Sequence, residues 1–169
     1  LGGREIGWSG MDDGTSRRIL QTALDLGINF FDTADAYGRG HSEELIGRFL
    51  SDLGSARRQE IVLSSKVGNR ETETGEWVKD FSPDWIRTGV EASLKRLKTE
   101  TIDVYHLHSP GEDFEYDEEI VDALESIRKA GKIRFYGVSL APPGRGLSPA
   151  EQGMDILDSG RRCDFFQLV

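Results

Sequence analysis

Apolar positions along the chain alternate between two spacings. Ile19, Leu20, Ala23, Leu24 and Leu26 recur at helical intervals, and Gly27 is placed to stop that helix. Residues 28–33, Ile-Asn-Phe-Phe-Asp-Thr, read as a buried strand. Ser42 is the candidate N-cap of a second helix, with Glu43 and Glu44 in its first turn and an inner face of Leu45, Ile46, Phe49, Leu50 and Leu53. A strand is expected over 61–65. The stretch 67–81 is polar and without period, which predicts a long loop.

Ser82-Pro83 restarts a helix, serine as cap and proline in its first turn, and Ile86, Val90, Leu94 and Leu97 form its buried face. A strand over 102–107, a helix over 117–130 carrying Ile120, Val121, Leu124 and Ile127, and a strand over 133–138 follow. Ser148 and Glu151 have the spacing of a capping box for a last helix, and a last strand opens at Phe165. Strands alternating with helices in this way predict a parallel sheet with right-handed crossovers, in a single α/β domain over residues 1–169. Periodicity alone leaves an open sheet and a closed barrel equally allowed.

In parallel α/β folds the chemistry gathers where strands end. Those ends deliver Asp32 with Tyr37 just beyond it, Lys66, His108, Ser139 and Gln167. Successive strands supplying polar groups to one rim is a stronger signal than any one of these residues. His106 and His108 share a strand face, but no third ligand at suitable spacing supports a metal. Gly38-Arg39-Gly40 imitates a dinucleotide fingerprint, yet Glu43 stands where the third glycine belongs and would repel pyrophosphate. Trp77, in the expected loop, could wall a substrate pocket or simply face solvent.

Charge narrows the partners. With 30 acidic and 21 basic residues the chain carries −9, which would repel nucleic-acid backbones and anionic lipid surfaces. No apolar run approaches the ~20 residues of a membrane span. Cys163 is alone, so no internal disulfide forms, and no secretory signal is evident. A reducing cytoplasm is expected. The chain starts without methionine and stops inside an apolar strand, so both ends are expected to be cut.

The stretch 27–38, Gly-Ile-Asn-Phe-Phe-Asp-Thr-Ala-Asp-Ala-Tyr-Gly, resembles the signature of aldo-keto reductases. Ser42-Glu43-Glu44-Leu45-Ile46-Gly47, Ser64-Ser65-Lys66-Val67-Gly68, the segment from Asp103 to Pro110, Gly137-Val138-Ser139 and Phe166-Gln167 resemble its later landmarks. The resemblance implies a (β/α)8 TIM barrel, incomplete here and represented by strands 2 to 6, and a catalytic tetrad of Asp32, Tyr37, Lys66 and His108. It implies an oxidoreductase that reduces aldehydes, ketones or sugar aldoses with NADP(H), NAD(H) being left open. Tyr37 would give the proton, Lys66 would lower its pKa, Asp32 would hold Lys66, and His108 would orient the carbonyl.

Ser139 and Gln167 would hold the nicotinamide carboxamide. Leu140 replaces the small polar residue usual after Gly-Val-Ser, so one amide contact there is not expected. The first barrel strand, apart from a remnant at Leu1, and everything after the sixth lie outside the chain. Alone, it is expected to self-associate through exposed sheet edges and to turn over little. The alternative is a non-catalytic member of the family, a regulatory subunit or truncated remnant.

Overall fold

The computed structural model describes residues 12–111, 113–140 and 148–168. The Leu1 remnant and Val169 lie outside them. The first helix, α1, runs Asp13–Asp25, with the Asp12 side chain accepting from the Thr15 amide. Gly27 takes φ 84°, and the amides of Gly27 and Ile28 reach back to the carbonyls of Leu24 and Ala23. That left-handed cap turns the chain directly into β1, Phe30–Asp32. The strand is shorter than the apolar run, and of the foreseen helical stripe Leu20 and Leu24 are buried while Ile19 and Leu26 are exposed.

Helix α2 covers His41–Leu53 and begins one residue before the expected cap, with Gly40 at φ 90° as N-cap. Ser42 is instead buried and accepts from Thr33 Oγ1 at 2.8 Å, tying the loop after β1 to the helix. A short helix α3, Ser55–Arg58, lies outside the sequence expectation. Strand β2, Val62–Val67, extends two residues past the expected end.

The expected long loop over 67–81 is corrected by the structure: it contains an antiparallel hairpin of β3, Asn69–Glu71, and β4, Trp77–Lys79. Its cause is local. Gly75 at φ 83° and Thr72, whose hydroxyl accepts from the Glu76 amide, close the turn, and each strand is only three residues long, too short for an apolar alternation to show.

Helix α4, Pro83–Leu97, has the Ser82 cap and first-turn proline read from the sequence. Strand β5 spans Ile102–His108, helix α5 Glu118–Lys129 behind an Asp117 cap, and β6 Ile133–Ser139. Gly131, at φ 77°, repeats the Gly27 device between α5 and β6. Helix α6, Pro149–Asp158, opens with both hydrogen bonds of the Ser148–Glu151 capping box, and β7 is Phe165–Gln167.

The main sheet has five parallel strands in the order β1-β2-β5-β6-β7. Register and the two-residue period of strand side chains sort the residues between its faces. Phe31, Leu63, Val67, Tyr105, Leu107, Tyr136 and Val138 point to the helices and belong to the core. The opposite face carries the chemistry. Asp32 pairs with Ser64, Lys66 with His106, His108 with Ser139, and Ser139 with Gln167, so these side chains form one diagonal row. On the same face Phe30, Phe135 and Phe165 are exposed, the latter two packed edge to face.

Candidate active site

Lys66 sits at the centre of the row. Its side chain is only 2% exposed, and Nζ donates to Asp32 Oδ2 at 2.6 Å and to the Thr33 carbonyl at 2.8 Å. The same ammonium stands 5.3 Å from the centroid of the Tyr37 ring. Across the site the His108 ring meets Tyr37 edge to face, centroids 5.7 Å apart. Asp32 also accepts from Ser64 Oγ at 2.7 Å and Gln167 Nε2 at 3.2 Å. Thus five strand ends and the loop after β1 bring together every site residue expected from sequence. Ser139 is next to His108 and Gln167 in register.

These contacts fix the charge states. Burial pushes the Asp32 carboxyl up, but the Lys66 ammonium and the hydrogen bonds from Lys66, Ser64 and Gln167 outweigh it and hold it below its ordinary value. Burial likewise pulls Lys66 down, with Asp32 opposing. His106 is pushed to about 4 and His108 to about 3, chiefly by burial, with nearby lysines adding to it. Both rings are neutral near pH 7.

Tyr37 departs from the expectation that Lys66 would lower its pKa. Burial raises it, and the carboxylates of Asp32 and Asp35 raise it further. The reason is geometric: Lys66 spends its hydrogen bonds on Asp32 and Thr33 and lies over the ring face. Tyr37 is therefore held as a neutral phenol.

Two polar atoms are left over. Ser139 Oγ and Gln167 Oε1 are buried without a hydrogen-bond partner among the described residues. A buried polar atom without a partner costs about 1–3 kcal/mol, so a ligand amide that satisfied both would be favoured. They therefore fit the carboxamide of a nicotinamide, a group that can both donate and accept. Leu140 turns away from this edge into the core, and its amide donates to the Gln167 carbonyl at 2.9 Å. Gly137, on the same strand, lets β6 and β7 approach: a Cβ there would fall 2.0 Å from the Phe165 carbonyl oxygen.

Several contributors escaped the sequence reading. Glu43, fully buried, accepts from Ser65 Oγ and Arg96 Nε, both at 2.6 Å, and so bolts α2 to β2 and α4. Its place in the first turn of a helix gave no sign of these long-range partners. Asp35 is raised to about 7 by burial and by Glu43. Asn69 and Lys79 reach His108 from the hairpin that read as a loop: Asn69 Nδ2 lies 3.0 Å from His108 Nδ1, and Lys79 Nζ donates to the His108 carbonyl at 2.7 Å. Trp77 stacks under the Arg39 guanidinium at 5.9 Å. Among the described residues no three His, Cys, Asp or Glu side chains gather to hold a metal, and no helix is long and apolar enough to cross a membrane.

A row of parallel strands backed by helices, with its polar side chains collected at the carboxyl ends, defines a portion of an α/β barrel. The model of the Aldo/keto reductase family matches residues 1–156. The chain belongs to that family. It is 42% identical over 144 residues to the uncharacterized oxidoreductase YqkF of Bacillus subtilis, covering 82% of this chain and 45% of that protein. It is 41% identical over 125 residues to the aldo-keto reductase yakc [NADP(+)] of Schizosaccharomyces pombe, covering 73% and 36%. The holo form of aldo-keto reductase AKR11C1 from Bacillus halodurans superposes with a TM-score of 0.78 at 35% identity, over 94% of this chain and 49% of that one. The chain spans less than half the length of each of these relatives.

Proposed function

We propose that these residues carry the acid-catalytic half of an NADP(H)-dependent reductase of small aldehydes, ketones or sugar aldoses. The observation that carries this reading is the arrangement around Tyr37: a buried lysine paired to Asp32 at 2.6 Å lies over the phenol ring, and a neutral histidine meets its other side. A bound reduced nicotinamide would supply hydride to the carbonyl carbon. Tyr37 Oη then gives its proton to the carbonyl oxygen, which becomes the product hydroxyl. Because Tyr37 is held neutral, that proton is present throughout the working pH range.

The Lys66 charge is of use as the proton leaves, when negative charge develops on the tyrosine and the ammonium above its ring stabilises it. Asp32 keeps Lys66 charged in spite of its burial. His108 offers a ring N–H to the same carbonyl oxygen, fixing its approach to Tyr37. Ser139 Oγ and Gln167 Oε1 are the groups that would hold the carboxamide. NADP(H) is favoured over NAD(H) by the similarity to the aldo-keto reductase yakc [NADP(+)] of Schizosaccharomyces pombe.

The test is a fluorescence titration of the gene product with NADPH, followed by NADPH oxidation with a simple aldehyde. Stoichiometric oxidation and alcohol formation are expected. Tight NADPH binding without turnover of any carbonyl would instead point to a regulatory member of the family.

A further inference from the structure

We propose that Asn69 and Lys79, facing each other across the β3–β4 hairpin, are positioning residues that lock the His108 ring as the tautomer protonated on Nε2. The tautomer follows from hydrogen-bond chemistry alone, while its catalytic consequence rests on the carbonyl-reductase reading above.

An ammonium can only donate. Lys79 Nζ lies 2.8 Å from one end of the Asn69 amide, so that end is the oxygen. The other end is then NH2, which can only donate, and it lies 3.0 Å from His108 Nδ1. Nδ1 must accept, and a neutral imidazole that accepts at Nδ1 carries its proton at Nε2. Antiparallel pairing places Asn69 and Lys79 directly opposite one another, which sets the geometry of the first contact. The second contact of Lys79, to the His108 carbonyl at 2.7 Å, holds the backbone of the same residue.

The charged and titratable groups around the ring come from four strands: Asp32 on β1, Lys66 on β2, Lys79 on β4 and His106 on β5, with Tyr37 packed edge-on. Burial, and then two ammoniums against one carboxylate, keep the ring neutral down to about pH 3. Neutrality leaves one ring proton, and its location then decides the chemistry. On Nε2 it is the hydrogen bond offered to a carbonyl oxygen. On Nδ1 it would leave Nε2 as a lone pair that repels that oxygen. The β3–β4 hairpin thus sets this choice.

The experiment is a long-range ¹H–¹⁵N spectrum of the gene product labelled with ¹⁵N-histidine, His108 being assigned by the loss of its signals in His108→Gln. The wild type is expected to show the Nε2–H tautomer, unchanged from pH 8 to pH 5. Asn69→Asp keeps the shape and the Lys79 contact but has only acceptors to offer, so it should move the proton to Nδ1 and raise the ring pKa. Lys79→Met frees the amide to turn over and should give a mixture of tautomers. Should Asn69→Asp fail to fold, the wild-type and Lys79→Met spectra still decide the matter. An Nδ1–H tautomer in the wild type, or an unchanged Nε2–H tautomer in both variants, would overturn the proposal.

The reductase reading is tested separately by kcat/KM against pH with an aldehyde. In Asn69→Asp a new limb is expected, activity falling roughly 10-fold or more as pH rises through the new His108 pKa and the neutral Nδ1–H form takes over. Wild type should lack that limb. A locked tautomer in a protein that reduces no carbonyl would refute the reductase reading and leave the lock standing.

Discussion

Replacing Asp35 by Asn should stabilise the protein above neutral pH and leave it unchanged in acid. The Asp35 carboxyl is raised from 3.8 to about 7, first by burial and then by the Glu43 carboxylate, with the Ala36 amide, Arg96 and Lys79 compensating only in part. Its Oδ1 has no hydrogen-bond partner among the described residues. One pKa unit corresponds to about 1.36 kcal/mol, so ionising Asp35 in the folded protein costs up to about 4 kcal/mol more than in the unfolded chain. Asp35 keeps some solvent exposure, which screens the charge and brings the expected value to roughly 2 kcal/mol.

The sign is set by linkage. The folded pKa lies above the unfolded one, so the native state binds the proton more tightly. Stability from this group is whole below about pH 4, is lost as pH rises toward about 7, and is flat beyond. Asparagine cannot ionise and retains an oxygen for the Ala36 amide. Urea unfolding of both proteins across pH 4 to 8 gives the difference directly, other titrating groups cancelling between the two. A stabilisation near zero at pH 4 that grows to about 2 kcal/mol at pH 8 is expected. A difference independent of pH would refute the assignment of a buried, uncompensated charge.

Lys98 ends α4 in a left-handed conformation, φ 52°, that favours glycine, so Lys98→Gly should raise stability by about 0.5–1 kcal/mol in the same urea assay. Gly137→Ala would set a Cβ 2.0 Å from the Phe165 carbonyl oxygen and should force β6 and β7 apart at a cost of about 1–3 kcal/mol, read as faster hydrogen exchange at the Leu140 amide. The 169-residue chain expressed alone, with Phe30, Phe135 and Phe165 exposed on one face, should self-associate in light scattering; a sharp monomer that binds no hydrophobic dye would contradict this.

The longer helices and the Ser82 and Ser148 caps were legible because each rule involved is local, whereas α2 starts behind Gly40 instead of the expected Ser42 and the one-turn α3 gave no signal. Leu20 and Leu24, Ile86 to Leu97, and the Ser148–Glu151 box need only near neighbours in sequence, and Gly27 and Gly131 announce the turn into each following strand. The row from Asp32 to Gln167 was legible as a list, since parallel strands collect their ends on one rim. Its spacing was not: the pairing of Lys66 with His106, or of His108 with Ser139, depends on strand register. The hairpin was missed because Asn69 to Lys79 stabilises itself through a turn and polar cross-strand contacts, leaving no apolar period to detect. Glu43 carried only a first-turn position in the sequence and Asp35 no role at all, because burial and long-range partners such as Ser65 and Arg96 are set by packing.

The central claim is that Tyr37 delivers the proton in carbonyl reduction, and Tyr37→Phe in the gene product tests it most directly. The phenylalanine keeps the ring contacts with Lys66 and His108 and removes only the hydroxyl. NADPH affinity should be unchanged while kcat for a simple aldehyde falls about 10²- to 10⁴-fold. A variant that reduces the aldehyde at the wild-type rate would contradict the account.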